Sequence, residues 1–422
     1  MGNPRYALFK KAGNDVDSVW KLMLANVRTP RNNYGDFRAM IASVEVGAAR
    51  MEAVIAKYGT EVFLRTVTDL MNYSETRMRA EIAEIADGKY TFEDFMEDDG
   101  IEAKPYRIHV DVHVQNEEVV VDYSGSDPQA KGPINAVLSV AWSSAYNAML
   151  HLTDPSIPKN SGCFRPIKIV APGGTVLNAD YPATCVGGNT ETHIRIAYTI
   201  IGAMSQCLPE RAFATDAGTH SNFLFGAHDP RCDEYVVCYD FTCAAWGGRP
   251  FADGNEAINC INGNSRMIPI EVFEVRYPWL IEEFKLEPDS AGAGCYRGAH
   301  AVSKTLRAIA TEITVSSVSD RHTIQPWGLL GGDAGSALRR IVFANLQTYH
   351  KAIKQIQIPG HISDNLKWPF RPYQLKALQN HLYCEENKKM LEIDQEKFVY
   401  NMATGSGKTF TMACIIEKVQ KP

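Results

Sequence analysis

From Trp20 onward the chain places apolar residues at intervals of three and four. Trp20, Leu22, Met23 and Leu24 open the stripe, and FRAMIASVEVGAARMEAVIAKY (37–58) continues it, which predicts an amphipathic helix. A second run over 61–86 keeps this period and stops at Asp87-Gly88, a pair suited to ending a helix. Residues 16–90 are therefore expected to form packed, antiparallel helices. The period then falls to two. YRIHVDVHV (106–114) alternates strictly, Gln115-Asn116-Glu117 turns the chain, and EVVVDYSG (118–125) returns, which is the pattern of a hairpin. Further short strands are expected in FRPIKIVAP, EYVVCYDFTCAAW, MIPIEVFEVRYP and EITVSSVSD, with helices near 134–152 and 191–206.

After GLLGGDAGSA (328–337) the pattern changes again. IVFANLQTYHKAIKQIQ is amphipathic and lysine-bearing, and KWPFRPYQLKALQNHLY reads as a helix begun after Pro372. KFVYNMATGSGKT reads as strand, loop, helix. The expected fold class is α+β: a helical N-terminal part packed on a mixed, β-rich body over residues 1–337, then a truncated α/β phosphate-loop segment over 338–422.

Composition narrows this picture. The 422 residues are 45% hydrophobic and 22% charged, as in ordinary globular domains, and no run approaches 18 apolar residues, so no membrane-spanning helix is expected. The start, MGNPRYALFKKAGND, has no apolar signal core. Ten cysteines occur without a C-x-x-C pair, which predicts reduced thiols, mostly buried, and a cytoplasmic home. The net charge of −6 is divided unevenly. Residues 338–422 carry thirteen Lys/Arg against seven Asp/Glu, a surplus of six positive charges, so the preceding 337 residues carry −12. The basic segment is the surface expected to meet nucleic acid.

His109, Asp111 and His113 share one face of a strand and have the chemistry of metal ligands, but Ile108, Val110, Val112 and Val114 fill the other face. Alternation in a half-buried strand accounts for the pattern more simply. Turns rich in Gly, Asn, Thr and His recur at 123–136, 186–195, 216–222, 246–257 and 262–266; they either line a site or turn corners of a β-rich domain. No Ser-His-Asp or Cys-His triad can be assigned by spacing. The loop Thr404-Gly405-Ser406-Gly407-Lys408-Thr409 is sharper. Its backbone N–H groups can cradle phosphates, Lys408 can neutralise them, and Thr409 can offer its hydroxyl to Mg²⁺. Met402 stands where the strict pattern has glycine, so the loop is a variant.

Residues 1 to about 336 resemble the B component of the hydantoinase B/oxoprolinase family. The resemblance runs through LANVRTPRNNYGDFRAMIAS (24–43), YSETRMRAEIAEIADGKYTFEDF, DYSGSDPQAKGPINA, NSGCFRPIKIVAPGGTVLN, VGGNTETHIR, FADGNEAIN, PIEVFEVRYP and SDRHTIQPWGLLGG. It implies a hydrolase component that completes ring opening of a cyclic amide, a hydantoin or 5-oxoproline, together with a separate ATP-using A-type subunit. It also implies a divalent metal whose ligands it does not assign. Asn189, Glu191, His220, Asp253 and Arg321 are the residues it points to for the substrate cleft. The family pattern has further portions on both sides of this stretch, so the chain reads as a middle fragment with impaired activity. From about 338 the chain resembles the start of a superfamily 2 helicase-type motor, as in type I and type III restriction enzymes. There Arg371 and Gln374 would contact adenine, and 404–409 would bind ATP and Mg²⁺, with Thr409 on the metal. The alternative function is accordingly an ATP- and DNA-binding motor fragment, joined to the hydrolase-like part near residue 337.

Overall fold

The computed structural model describes residues 9–11, 13–242 and 245–338. The chain divides into two compact units, Met1–Leu338 and Arg339–Pro422, and the fold below is that of the first. Arg371, Gln374 and the loop 404–409 lie outside the described residues.

A short β-ribbon, β1 (Lys10–Lys11) against β2 (Asn14–Asp15), leads into α1 (Asp17–Ala25). Then come the long helices α2 (Pro30–Tyr58) and α3 (Thr60–Ala83). Pro30 suits the first turn of α2, where its missing N–H costs nothing. Gly59 reverses the chain between the two helices at φ +79, a conformation that glycine adopts without strain. Helix α3 ends three residues before the expected 86, and the sequence after it pairs as a strand.

The main sheet has the order β3-β4-β5-β6, from β3 (Gly88–Met96), β4 (Tyr106–Gln115), β5 (Glu118–Asp122) and β6 (Ile167–Val170). The first three strands are antiparallel; β6 joins parallel to β5 after the chain passes through α4 (Leu138–Leu152). The strict alternation of β4 is realised as expected, with Tyr106, Ile108, Val110, Val112 and Val114 all buried. Against this sheet lies α5 (His193–Met204), buried at every residue from 194 to 204. A helix apolar on all sides belongs inside a core. Gly202 lets it approach β3, because a Cβ there would sit 2.7 Å from the Phe92 ring.

A second, three-stranded sheet has the order β11-β7-β8, from β7 (Asn222–Asp229), β8 (Glu234–Phe241) and β11 (Ile313–Val318). Beside it stand α6 (Ile270–Arg276) and the pair β9 (Trp279–Leu286) with β10 (Val302–Ala308). Phe223, Phe225, Cys238, Phe273 and Trp279 form its core. MIPIEVFEVRYP, expected as a strand, is mostly helix α6. Pro269 sets the first turn, Glu271 and Arg276 suit the two ends of the helix dipole, and Phe273 is its one buried anchor. The short run of Ile, Val and Phe that suggested a strand did not outweigh those end signals. The strands β3, β7, β9 and β10 were not anticipated.

Candidate functional site

The site is built on the turn that starts α5. Gly188–Thr192 is a π-helical turn running directly into the helix, a wide geometry that often marks functional positions. The glycine pair before it is a packing requirement: a Cβ on Gly188 would lie 2.4 Å from the Asn135 carbonyl, and Gly187 N–H donates to Pro133 O at 2.8 Å. The Thr192 hydroxyl donates to Ile134 O on the same segment. Held this way, the turn leaves Asn189 exposed and carries Glu191 inside.

Glu191 is 1% exposed. Its Oε1 accepts from Asn222 Nδ2 at 2.6 Å and from His220 N–H at 3.3 Å, while Oε2 has no hydrogen-bond partner. Burial, with the nearby charge of Asp320, pushes the carboxyl up to about 8. Burial therefore favours the neutral form of Glu191 at pH 7, with Oε1 accepting from the two N–H groups and Oε2 buried without a partner. A polar chain connects it to the surface. Asn262 Nδ2 donates to Asn189 O at 2.7 Å, which turns Asn262 Oδ1 toward His220 Nε2, 2.8 Å away. That amide orientation makes His220 Nε2 the protonated ring nitrogen. His193, at the end of the turn, has a buried Nε2 without a partner, and burial pushes its ring down to about 4, so it is neutral.

Beneath this turn lies a buried ionic group. Arg195 Nη2 meets Asp320 Oδ2 at 2.5 Å, and Arg321 Nη2 meets Asp94 Oδ2 at 2.7 Å; Arg195 also stands 3.6 Å from Asp94. Trp327 Nε1 donates to the same Asp94 oxygen at 3.0 Å. Burial alone would raise the Asp94 carboxyl, but the two guanidinium groups hold it below the usual carboxylate range. Arg321 sits at φ +69. Gly218, at φ +68, covers both arginines closely: a Cβ there would lie 2.6 Å from Arg321 Nε and 2.8 Å from Arg195 Nη1.

Of the five residues expected in a cleft, Asn189, Glu191 and His220 fall in one hydrogen-bonded group. Arg321 is a buried partner of Asp94 underneath. Asp253 stands apart on a half-exposed turn, where it accepts from Arg297 N–H at 3.0 Å. Asn222, Asn262, Arg195 and Asp320 were missed as site residues, although their stretches were singled out. His109 and Asp111 share their strand face with neighbours: Asp111 accepts from Thr91 at 2.6 Å and pairs with Lys89, and His109 Nδ1 lies 3.0 Å from Arg107. No cluster of three or more His, Cys, Asp or Glu suited to a metal occurs among the described residues. The Glu191 group does not fit one either, since Oε1 is held by two N–H donors and His220 Nε2 carries its proton toward Asn262. None of the seven described cysteines is in a disulfide, and three of them, Cys163, Cys238 and Cys260, are buried. No helix among the described residues is long and apolar enough to cross a membrane.

Comparison with known proteins gives this geometry its context. The profile of hydantoinase B/oxoprolinase matches residues 5–393, and that of the type III restriction enzyme res subunit matches 367–422. A protein of Pseudomonas sp. (strain NS671), provisionally named as the B subunit of a D-/L-hydantoinase, is 32% identical over 75% of this chain and 55% of its own length. The beta subunit of the Pseudomonas jessenii caprolactamase is 28% identical over 76% of this chain and 56% of its own. The 5-oxoprolinase of Dictyostelium discoideum is 28% identical over 80% of this chain but only 26% of its own length. The chain thus spans about half the length of the hydantoinase and caprolactamase relatives. The crystal structure of the ATP-dependent caprolactamase from Pseudomonas jessenii superposes with a TM-score of 0.67 at 26% identity, over 70% of this chain and 52% of that one. Nucleotide-free acetone carboxylase shares the fold, with a TM-score of 0.74 at 18% identity over 84% of this chain and 50% of that one. With the family profile covering most of its length and a solved relative sharing its fold, the chain belongs to the hydantoinase B/oxoprolinase family.

Proposed function

We propose that the first unit is the ring-opening part of an ATP-dependent cyclic-amide hydrolase, acting on a hydantoin- or 5-oxoproline-type lactam together with a separate A-type ATPase subunit. The observation that carries this reading is the buried Glu191 carboxyl, with Oε2 unpaired at the inner end of the Asn189–Asn262–His220 chain. ATP, bound by the partner subunit, supplies activation of the amide oxygen. In this chain, Glu191 Oε2 donates its proton to the ring nitrogen as the C–N bond breaks, and takes a proton back from the water whose hydroxyl adds to the carbonyl carbon, so the ring opens to an amine and a carboxyl group and Glu191 ends as it began. Asn222 and the His220 N–H hold the carboxyl by Oε1, so the proton stays on Oε2. General acid catalysis of this kind contributes roughly 10²–10⁴-fold. In a mixture of this chain, an A-type subunit, ATP and lactam, Glu191→Gln is expected to lower kcat at least about 100-fold while KM changes little. A kcat within a few-fold of the unaltered chain would remove Glu191 from the reaction.

A second activity is favoured by one observation, the match of 367–422 to the type III restriction enzyme res subunit. Lys408 would then bind nucleotide phosphates, Thr409 its Mg²⁺, and the basic segment would bind DNA with an affinity that falls steeply with salt. Lys408→Ala is expected to abolish ATP binding; unchanged binding would rule out the loop.

A further inference from the structure

Arg195 is completely buried, yet its hydrogen bonding is incomplete. Nη2 donates to Asp320 Oδ2, while Nε and Nη1 are buried with no hydrogen-bond partner. The 3.6 Å from Nη1 to Asp94 Oδ2 is an ion-pair distance only. A guanidinium cannot shed its proton to escape the cost of idle buried donors. Four residues earlier, one turn along the same face, stands Glu191, whose Oε2 is idle in the same way. The two charges feel each other. The Arg195 guanidinium pulls the Glu191 carboxyl down, and a Glu191 carboxylate pushes the guanidinium up. At rest, burial and the charge of Asp320 outweigh that pull. Arg195, Arg321, Asp94 and Asp320 already balance as two cations and two anions, so a Glu191 carboxylate would be a fifth, unmatched charge.

We propose that Arg195 takes up the Glu191 carboxylate that proton donation leaves behind, and is a positioning residue of the ring-opening step, a role that rests on Glu191 being its acid. The proton passes from Oε2 to the ring nitrogen as the C–N bond breaks. The oxygen left behind can then accept from Arg195 Nε or Nη1, in a charge-assisted hydrogen bond that the protonated acid does not make. Water returns a proton to Oε2 and the bond is released, so Arg195 keeps all its protons throughout. A bond made only once charge develops lowers the barrier without tightening the substrate. Asp320 works against it from the other side of the guanidinium, so the Arg195–Asp320 pair sets how readily Oε2 gives up its proton. The other titratable groups around them are Asp94 on β3, Arg321 beside Asp320, His220 before β7, Tyr239 on β8 and His193 on the turn itself.

Raising the pH makes the same carboxylate without any substrate. In nuclear magnetic resonance of the full chain carrying isotope-labelled arginine, an Arg195 N–H resonance is expected to move with a midpoint at about pH 8, and to stay still in Glu191→Gln. In the mixture of chain, A-type subunit, ATP and lactam, Arg195→Lys keeps the positive charge but not the idle donors. It is expected to lower kcat roughly 10- to 100-fold with KM little changed, and to move the alkaline limb of the pH profile up. Asp320→Asn is expected to move that limb down. A purely structural loss would not move it in opposite directions. A resonance that stays still in the unaltered chain overturns the proposal. So does an unaltered kcat in Arg195→Lys where Glu191→Gln has lost its activity, an outcome that leaves Glu191 as the acid. An unaltered kcat in Glu191→Gln removes the ring-opening role itself, and the role of Arg195 with it. If Arg195→Lys does not fold, the titration in the unaltered chain decides alone.

Discussion

Helices α5 and α2 are governed by the same physics and end up in opposite surroundings. Eleven of the twelve residues of α5 are buried, including the guanidinium of Arg195, while none of the twenty-nine residues of α2 is buried. The contrast shows that a helix's own sequence sets which face could be covered, and the neighbouring elements decide whether it is. The all-round apolar HIRIAYTIIGAM finds β3 and β4 on one side and α4 on another. The narrower stripe of α2 finds only α3 and, at its start, the small α1 through Trp20. Charge inside the first region must be paired to be tolerated, whereas charge along the second is solvated and nearly inconsequential.

The sharpest way to break this contrast is to remove a buried partner. Asp94→Ala leaves Arg195 and Arg321 short of a carboxylate and the Trp327 N–H unpaired, and is expected to cost about 3–5 kcal/mol in urea unfolding. A loss below about 1 kcal/mol would mean that the four side chains do not depend on one another as a buried ionic group must. Gly218→Ala follows. Its Cβ meets both arginines at under 3 Å in a left-handed conformation, for an expected loss of about 2–3 kcal/mol. On the other side of the comparison, Val54→Ala in α2, at an exposed position, is expected to change stability by less than about 0.5 kcal/mol. A larger loss there would show that the exposed stripe is covered within the chain.

The two regions also differ in how readable they were. The α2 stripe and the alternation of β4 are local patterns, and both were legible because a helix or strand face is set by neighbours a few residues away. The ionic quartet was not, because Asp94 reaches Arg321 across 227 positions and no local pattern encodes that meeting. Glu191 and His220 were pointed to by the family resemblance, while the glycine- and asparagine-rich turns that carry them were equally readable as corners. The burial that makes Glu191 an acid depends on packing against 133–136 and on Asn222, which spacing does not reveal. Asn262 was legible only as part of a turn; its role depends on lying between Asn189 and His220. In α6 the sequence pattern misled, since a short apolar run fits helix and strand alike.

The account rests most heavily on Glu191 being a protonated, buried acid, and its linkage to pH tests that directly. The folded carboxyl is at about 8 against 4.5 in the unfolded chain, so the folded state holds the extra proton and stability falls as pH rises between those values. His193 acts the other way, since its stabilising contribution is complete above 6.5 and is lost as pH falls toward about 4. Comparison with Glu191→Gln subtracts the remaining groups, among them the buried Asp216, whose carboxyl burial also pushes up. Unfolding free energies of the unaltered chain and of Glu191→Gln, measured from pH 6.5 to 8, are predicted to diverge by about 1.4 kcal/mol per pH unit in favour of the variant. Parallel curves would mean that the carboxyl is already ionised when folded, and would contradict the acid role assigned to it.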